Sequence, residues 1–190
     1  MLDHEHLGHQ VGATHHLLGG LASREYEFHV RRLHFYQVKY LGQALRASAQ
    51  GLRVIFIQFL KTQPGGEHFF ADKYKPFEII QFGKGDLFKK GEEELLRETR
   101  GAYDFALSAL SGGKYDVVVL DEIFIAHWRG LLSLPQILDL IKMKPANVEL
   151  ILTGRKAPQE VMRRADLVTE MLMIKHPFSE GIHQRKGIEY

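Results

Sequence analysis

The sequence predicts an α/β domain in which a mainly parallel sheet lies between layers of helices. Short runs rich in Val, Ile and Phe alternate along the chain with stretches whose apolar residues recur at helical spacing. The runs at 54–59, 117–120 and 148–152 are nearly free of polar alternation, which suits strands buried on both faces by helices. A chain of 190 residues fits one such domain comfortably.

Residues 1–24 stand apart by composition, with His4, His6, His9, His15, His16 and the Gly19-Gly20 pair but no period. They read as a mobile His-rich N-terminal arm, and residues 25–190 as a single α/β domain. His4-Glu5-His6 does not make the zinc-binding His-Glu-x-x-His pattern, because Gly8 occupies the second ligand position. Tyr26–Val30 is the first strand candidate. Val38, Leu41 and Leu45 then recur at helical spacing, and Gly51 stops that helix before the strand Val54–Phe59.

Phe77–Phe82 reads as another strand. Glu92, Glu93 and Glu94 open a long helix, where acidic residues suit the positive end of the helix dipole. Leu96, Tyr103, Leu107 and Leu110 are its expected buried face, and Ser111-Gly112-Gly113 ends it. Asp116–Leu120 follows as an apolar strand. Ser133 with Gln136 three residues later, and Pro135 in the first turn, mark a helix start of capping-box type. Pro145 ends that helix. Val148–Leu152 is a strand, Pro158–Ala165 a short helix and Leu167–Ile174 a last extended segment.

Composition narrows the partners. A net charge of +2 without a clustered stripe of Lys and Arg argues against a nucleic-acid surface. No cysteine is present, so disulfides, thiolate metal sites and cysteine nucleophiles are excluded. The N-terminus lacks the basic and apolar regions of a signal peptide, and the longest apolar runs are too short to span a membrane. A cytoplasmic protein with neither membrane nor nucleic-acid partner is expected.

The most informative local segment is Asp116-Val-Val-Val-Leu-Asp121-Glu122. Apolar strand residues deliver two carboxylates to the strand's C-terminal end, where open parallel sheets place their ligand crevices. Such a pair suits magnesium beside phosphates, because that ion takes hard oxygen ligands. The segment is similar to a Walker B strand. It is equally compatible with a plain strand followed by an acidic helix start.

A Walker B strand calls for a phosphate-binding loop of the form Gly-x-x-x-x-Gly-Lys-Ser/Thr after the first strand. Gly83-Lys84 is followed by Gly85 and Gly113-Lys114 by Tyr115, so neither carries the hydroxyl. After Tyr26–Val30 the chain reads Arg31-Arg-Leu-His-Phe-Tyr-Gln37, with no glycine to let backbone amides converge on phosphate. The loop is absent.

A long ordered series occupies the second half: Thr153-Gly154-Arg155, Ala165-Asp166-Leu-Val-Thr-Glu170-Met171, Lys175-His176-Pro177-Phe178, Gly181-Ile182 and Lys186-Gly187-Ile188-Glu189-Tyr190. Upstream lie Leu41-Gly42, Ala44-Leu45-Arg46-Ala47, Gly51-Leu52-Arg53-Val54, Gln58-Phe59-Leu60-Lys61 and Gly66-Glu67, with Leu120-Asp121-Glu122 in order between. From about Leu41 to Tyr190 the chain resembles the ATP:corrinoid adenosyltransferases of the CobA/CobO/BtuR type. The resemblance implies a P-loop NTPase-like (RecA-like) three-layer sandwich. It also implies transfer of 5′-deoxyadenosyl from ATP to Co(I) of a corrinoid, in cobalamin biosynthesis or salvage, by a magnesium-using homodimer.

Carried over by residue, Glu122 holds the magnesium, Asp121 supports it and Arg155 neighbours the polyphosphate, although a surface ion-pair role suits Arg155 equally. The family's phosphate loop would fall on Leu33 to Val38, with its Lys near Tyr36 and its Thr near Gln37. After Phe82, where the family carries an aromatic segment that displaces cobalt's lower ligand, the chain reads Gly83-Lys-Gly-Asp86-Leu87-Phe88. Phe88 is therefore the candidate corrinoid contact, with a core role as its rival. Two readings follow. In one, an enzyme manages ATP through a remodelled loop, with Arg31, Arg32, His34 and Lys39 as point charges. In the other, a nucleotide-incompetent homologue binds corrinoid alone. His176 and Phe178 are expected to pack the tail onto the domain, and Trp128 to lie in the core or a subunit interface.

Overall fold

The computed structural model describes residues 27–28, 35–87, 89–170, 174–183 and 185–188. The His-rich arm and Phe88 lie outside these residues, as do Arg31, Arg32 and His34. Four strands, β2 (Val54–Phe59), β3 (Glu78–Phe82), β4 (Val117–Asp121) and β5 (Glu149–Leu152), form a wholly parallel sheet in the order β3-β2-β4-β5. The expected parallel α/β architecture is therefore present.

Both faces of the sheet are covered. Val54, Phe56, Val117 and Val119 pack with Ala44 of α1 (Phe35–Ala49) and Ala71 of α2 (Gly66–Tyr74). Ile55, Ile57, Phe59, Val118 and Leu120 pack on the other side with α3 (Glu92–Ser111), α4 (Ile123–Trp128), α5 (Leu134–Met143) and α6 (Gln159–Arg164). Alternate residues of one strand thus enter two different apolar layers, which is why the sequence shows no period of two. Every residue of β2 and β4 is buried, whereas β5, at the sheet edge, starts exposed and ends buried.

Local signals act as the sequence predicts. Gly51, at φ 83°, lies two residues past the end of α1 and donates its N–H to Ser48 O at 2.9 Å, a helix stop in the left-handed region. Ser133 caps α5: its N–H donates to Gln136 Oε1 at 2.9 Å, and its Oγ accepts from the Gln136 N–H at 3.4 Å.

Three expectations are refined. The expected face of α3 holds in part: Leu110 is buried and Tyr103 and Leu107 pack against the core, but Leu96 is 41% exposed, and the fully buried positions are Leu95, Thr99, Ala102, Ala106, Ala109 and Leu110. Small side chains let that helix lie close to the sheet, so alanines mark the contact along with Leu95 and Leu110. Within Tyr26–Val30 only β1 (Glu27–Phe28) is a described strand, and it pairs antiparallel with β6 (Gly154–Arg155) in a separate two-stranded ribbon. In the expected extended segment Leu167–Ile174, residues 167–170 and 174 join no sheet, and 171–173 lie outside the described residues.

Gly154 sits where the chain turns from β5 into β6. Its φ is 132°, and an added Cβ would meet Phe124 Cβ and the Phe124 backbone N at 3.0 Å. Both strain and contact disfavour a side chain there. Gly154→Ala should therefore destabilise the domain by about 1–3 kcal/mol, read as a lower urea midpoint, and an unchanged midpoint would refute this account.

Candidate functional site

Parallel pairing brings the C-terminal ends of β2, β4 and β5 to one rim. In the register of the central pair, Gln58 of β2 lies opposite Asp121 of β4. Both side chains belong to the face covered by α2, because they continue the alternation of Phe56 and Val119. Gln58 Nε2 donates to Asp121 Oδ2 at 3.1 Å, and both residues are buried. Thr153, the residue after β5, donates its hydroxyl to Asp121 Oδ1 at 2.8 Å.

The network continues outward from this pair. His68 of α2 accepts from the Gly65 N–H at Nδ1, 2.9 Å away, which assigns the ring proton to Nε2. That Nε2 lies 2.8 Å from Gln58 Oε1 and donates to it, fixing the amide so that its nitrogen faces Asp121. Burial pushes the His68 imidazole below its usual value against the raising effect of Glu67, in keeping with a neutral ring. Each oxygen of Asp121 thus has a neutral donor.

Glu122 is treated differently by the fold. It leaves β4 in the left-handed region, φ 62° and ψ 22°, as the N-cap of α4, and its side chain makes no capping bond. Its N–H donates to Thr153 Oγ1 at 2.9 Å, while its Oε2 is buried with no hydrogen-bond partner. Burial, and then the charge on Asp121, pushes the Glu122 carboxyl up to about 7, against the opposing influence of Arg155 and Lys61. A non-glycine residue in this conformation stores strain of a kind that clusters at functional sites.

Lys61 completes the rim. The preceding Leu60 is also left-handed, at φ 55°, and turns the chain at the end of β2. Lys61 Nζ bonds Glu67 Oε1 at 2.8 Å and lies 3.8 Å from Asp121 Oδ2. Burial opposes ionisation of Glu67, but the charge and hydrogen bond of Lys61 outweigh it and hold the carboxyl below its ordinary value.

The structure therefore brings together Asp121, Glu122 and Arg155, three of the four site residues expected from sequence. It also adds Gln58, Lys61, Glu67, His68 and Thr153. A signal existed for Gln58, a lone polar residue inside an otherwise apolar strand. Trp128 is not core: it is 58% exposed, with Lys156 Nζ 3.9 Å from its ring centroid. Phe178 is 55% exposed, and His176 accepts the Phe178 N–H at Nδ1, 3.0 Å away, to start the short 3-10 turn Pro177–Glu180.

No group of three His, Asp or Glu side chains is arranged to hold a metal ion among the described residues. The orphaned Oε2 of Glu122 fits a single carboxylate ligand to a hard cation such as magnesium, which keeps several waters and shares substrate phosphates. No helix among the described residues is long and apolar enough to cross a membrane.

Comparison with known proteins supplies the family. A corrinoid adenosyltransferase of Pseudomonas aeruginosa is 34% identical over 152 residues, 78% of this chain and 75% of its own length. One from Sinorhizobium is 31% identical over 155 residues, 78% and 72% of the two chains, and one from Escherichia coli 28% over 151, 78% and 76%. The family profile described as ATP:corrinoid adenosyltransferase BtuR/CobO/CobP matches residues 39–190, beginning just after the segment that lacks the phosphate loop. This chain belongs to the ATP:corrinoid adenosyltransferase family.

Proposed function

We propose that this protein transfers the 5′-deoxyadenosyl group of ATP to the cobalt of a reduced corrinoid, with the polyphosphate held at the rim of β2, β4 and β5. The observation that carries the reading is the buried, unpartnered oxygen of Glu122 beside a fully bonded Asp121, in a chain that belongs to this family. In the reaction, Co(I) supplies the electron pair of the new cobalt–carbon bond at C5′. The C5′–O bond breaks and triphosphate leaves with its pair.

The protein's tasks are alignment and charge control. Bound magnesium would neutralise charge on the leaving triphosphate. Glu122 is the residue that would hold it, and Asp121, pinned by Thr153 and Gln58, would support it from behind. Arg155, whose charge already acts on Glu122, would neighbour the phosphates. Phe88 remains the proposed corrinoid contact on the strength of its sequence position alone.

A second reading, a nucleotide-incompetent corrinoid binder, is favoured by one observation. Residues 31–38 contain no glycine, and α1 has already begun at Phe35, so Tyr36 and Gln37 stand in a helical turn where the family places its loop Lys and Thr.

Glu122→Gln should weaken magnesium-dependent nucleotide binding far more than Glu170→Gln, because an amide cannot replace a carboxylate on a hard cation. Equal losses in calorimetric titrations would remove Glu122 from the site. A carboxyl that titrates near 7 must lose its proton to take the metal. Magnesium-dependent binding should therefore strengthen as pH rises through about 7 and weaken below it, and a flat profile would contradict the assignment.

Loss of a phosphate loop has a calculable consequence. One charge-assisted hydrogen bond contributes about 1.5–3 kcal/mol, so two missing contacts cost about 3–6 kcal/mol, or about two to four powers of ten in affinity. Replacing residues 31–38 with a Gly-rich Lys-Thr loop should tighten Mg-ATP binding by about that factor. Tight Mg-ATP binding by the unaltered chain, with spectral formation of a cobalt–carbon bond from reduced corrinoid, would show that other cations do the loop's work.

A further inference from the structure

The rim contains an ion pair that the reaction as outlined does not use. Lys61 Nζ and Glu67 Oε1 lie 2.8 Å apart, the lysine side chain about a quarter exposed at 24% and the glutamate nearly closed off at 7%. Glu67 stands in the first turn of α2, behind two consecutive glycines. Its carboxylate lies directly over Gly65, where an added Cβ would come within 2.3 Å of Oε2. The carboxylate also accepts its own backbone N–H, so it takes a positive helix start as well as an ammonium. An anion of this protein's own thus fills a position built for one.

That position adjoins the orphaned Glu122 oxygen, since Lys61 lies 3.8 Å from Asp121 Oδ2 and its charge acts on Glu122. We propose that Lys61 is the ammonium contact for the substrate polyphosphate, and that the Glu67 carboxylate is a placeholder which a phosphate oxygen displaces. The inference rests on reading the rim as a polyphosphate seat. It assigns to the end of β2 the charge that other nucleotide sites take from a loop lysine. Displacement is accessible because the lysine has a flexible stem and an open side, and because only one of its two carboxylate neighbours, Glu67, lies within hydrogen-bond distance.

The two roles predict opposite signs for one substitution. A merely structural ion pair predicts that Glu67→Gln harms the site. A placeholder predicts that the same change frees Lys61 and tightens binding of anions.

The test titrates tripolyphosphate into the full chain by calorimetry without magnesium, so that Glu122 has no metal to hold and the two proposals are read separately. Circular dichroism checks the fold of each variant. Glu67→Gln should bind tripolyphosphate roughly five- to tenfold more tightly than the unaltered chain, and Lys61→Ala roughly tenfold or more weakly, the worth of one charge-assisted contact. Lys61→Arg should retain most of the affinity. The proposal is overturned if folded Glu67→Gln binds no more tightly than the unaltered chain, including the case in which neither binds. Unchanged binding by Lys61→Ala overturns it as well. Should Lys61→Ala fail to fold, Lys61→Met keeps the apolar stem and serves in its place. Failure of Glu122→Gln to alter magnesium dependence would count against the metal assignment alone.

Discussion

Parallel pairing of β4 between β2 and β5 is the constraint on which the site depends. It sends the C-terminal ends of three strands to the same rim, where an antiparallel neighbour would have sent its own end to the opposite side. The register then selects the partners: Gln58 falls opposite Asp121, and Leu152 opposite Leu120, so that Thr153 arrives at the remaining oxygen of Asp121. A slip of one residue in β2 would carry Gln58 to the face of α3 and α5 and leave Asp121 facing an apolar side chain. Two apolar layers hold that register, because either slip would also exchange Ile55 and Ile57 with Val54 and Phe56. The buried polar network is tolerable for the same reason: Gln58, His68, Thr153 and Asp121 are bonded to one another in an unbroken series.

Two adjacent carboxylates acquire different characters from this arrangement. Asp121 ends a regular strand and has donors at both oxygens. Glu122 follows in a left-handed conformation that swings it out of the strand's alternation, into a buried position where Oε2 has no donor. Burial and the charge of Asp121 then push its proton affinity up. Environment alone separates a carboxylate bonded at both oxygens from one with an unmet oxygen. The strain at Glu122 and the unmet oxygen point in the same direction, since each is a cost that a structural acidic cap would not incur.

Much of this was legible in the sequence, for identifiable reasons. Apolar strands at 54–59 and 117–120 announce themselves by lacking polar residues, and Asp121-Glu122 is visible because it ends such a run. The capping pair Ser133 and Gln136 is local, so it needs no tertiary knowledge. The buried face of α3 is only partly legible, because its contact uses Ala102, Ala106 and Ala109, whose small size matters more than hydrophobicity, beside the legible Leu110. Lys61 and His68 carried no readable role either. A lysine after a strand and a histidine in a short helix look ordinary until the fold sets them against Asp121 and Gln58. The antiparallel pairing of Glu27–Phe28 with Gly154–Arg155 was equally hidden, since two residues carry too little pattern to specify direction.

What the rim lacks is as physical as what it has. A glycine-rich loop binds phosphate through several backbone amides fixed in direction, and so recognises shape as well as charge. Lys61 and Arg155 offer charge on flexible stems, and Lys61 is held between carboxylates when no ligand is present. A seat of the proposed kind would attract any polyanion that can outcompete Glu67, and added salt would screen its exposed part. Discrimination between ATP and free triphosphate would then have to come from contacts to the nucleoside rather than from the phosphates. The cost of weak ground-state binding is not itself a cost to the chemical step. In the proposed reaction only interactions that strengthen as triphosphate departs would accelerate it, and a cation passing from its own carboxylate to a leaving oxyanion would be one of these.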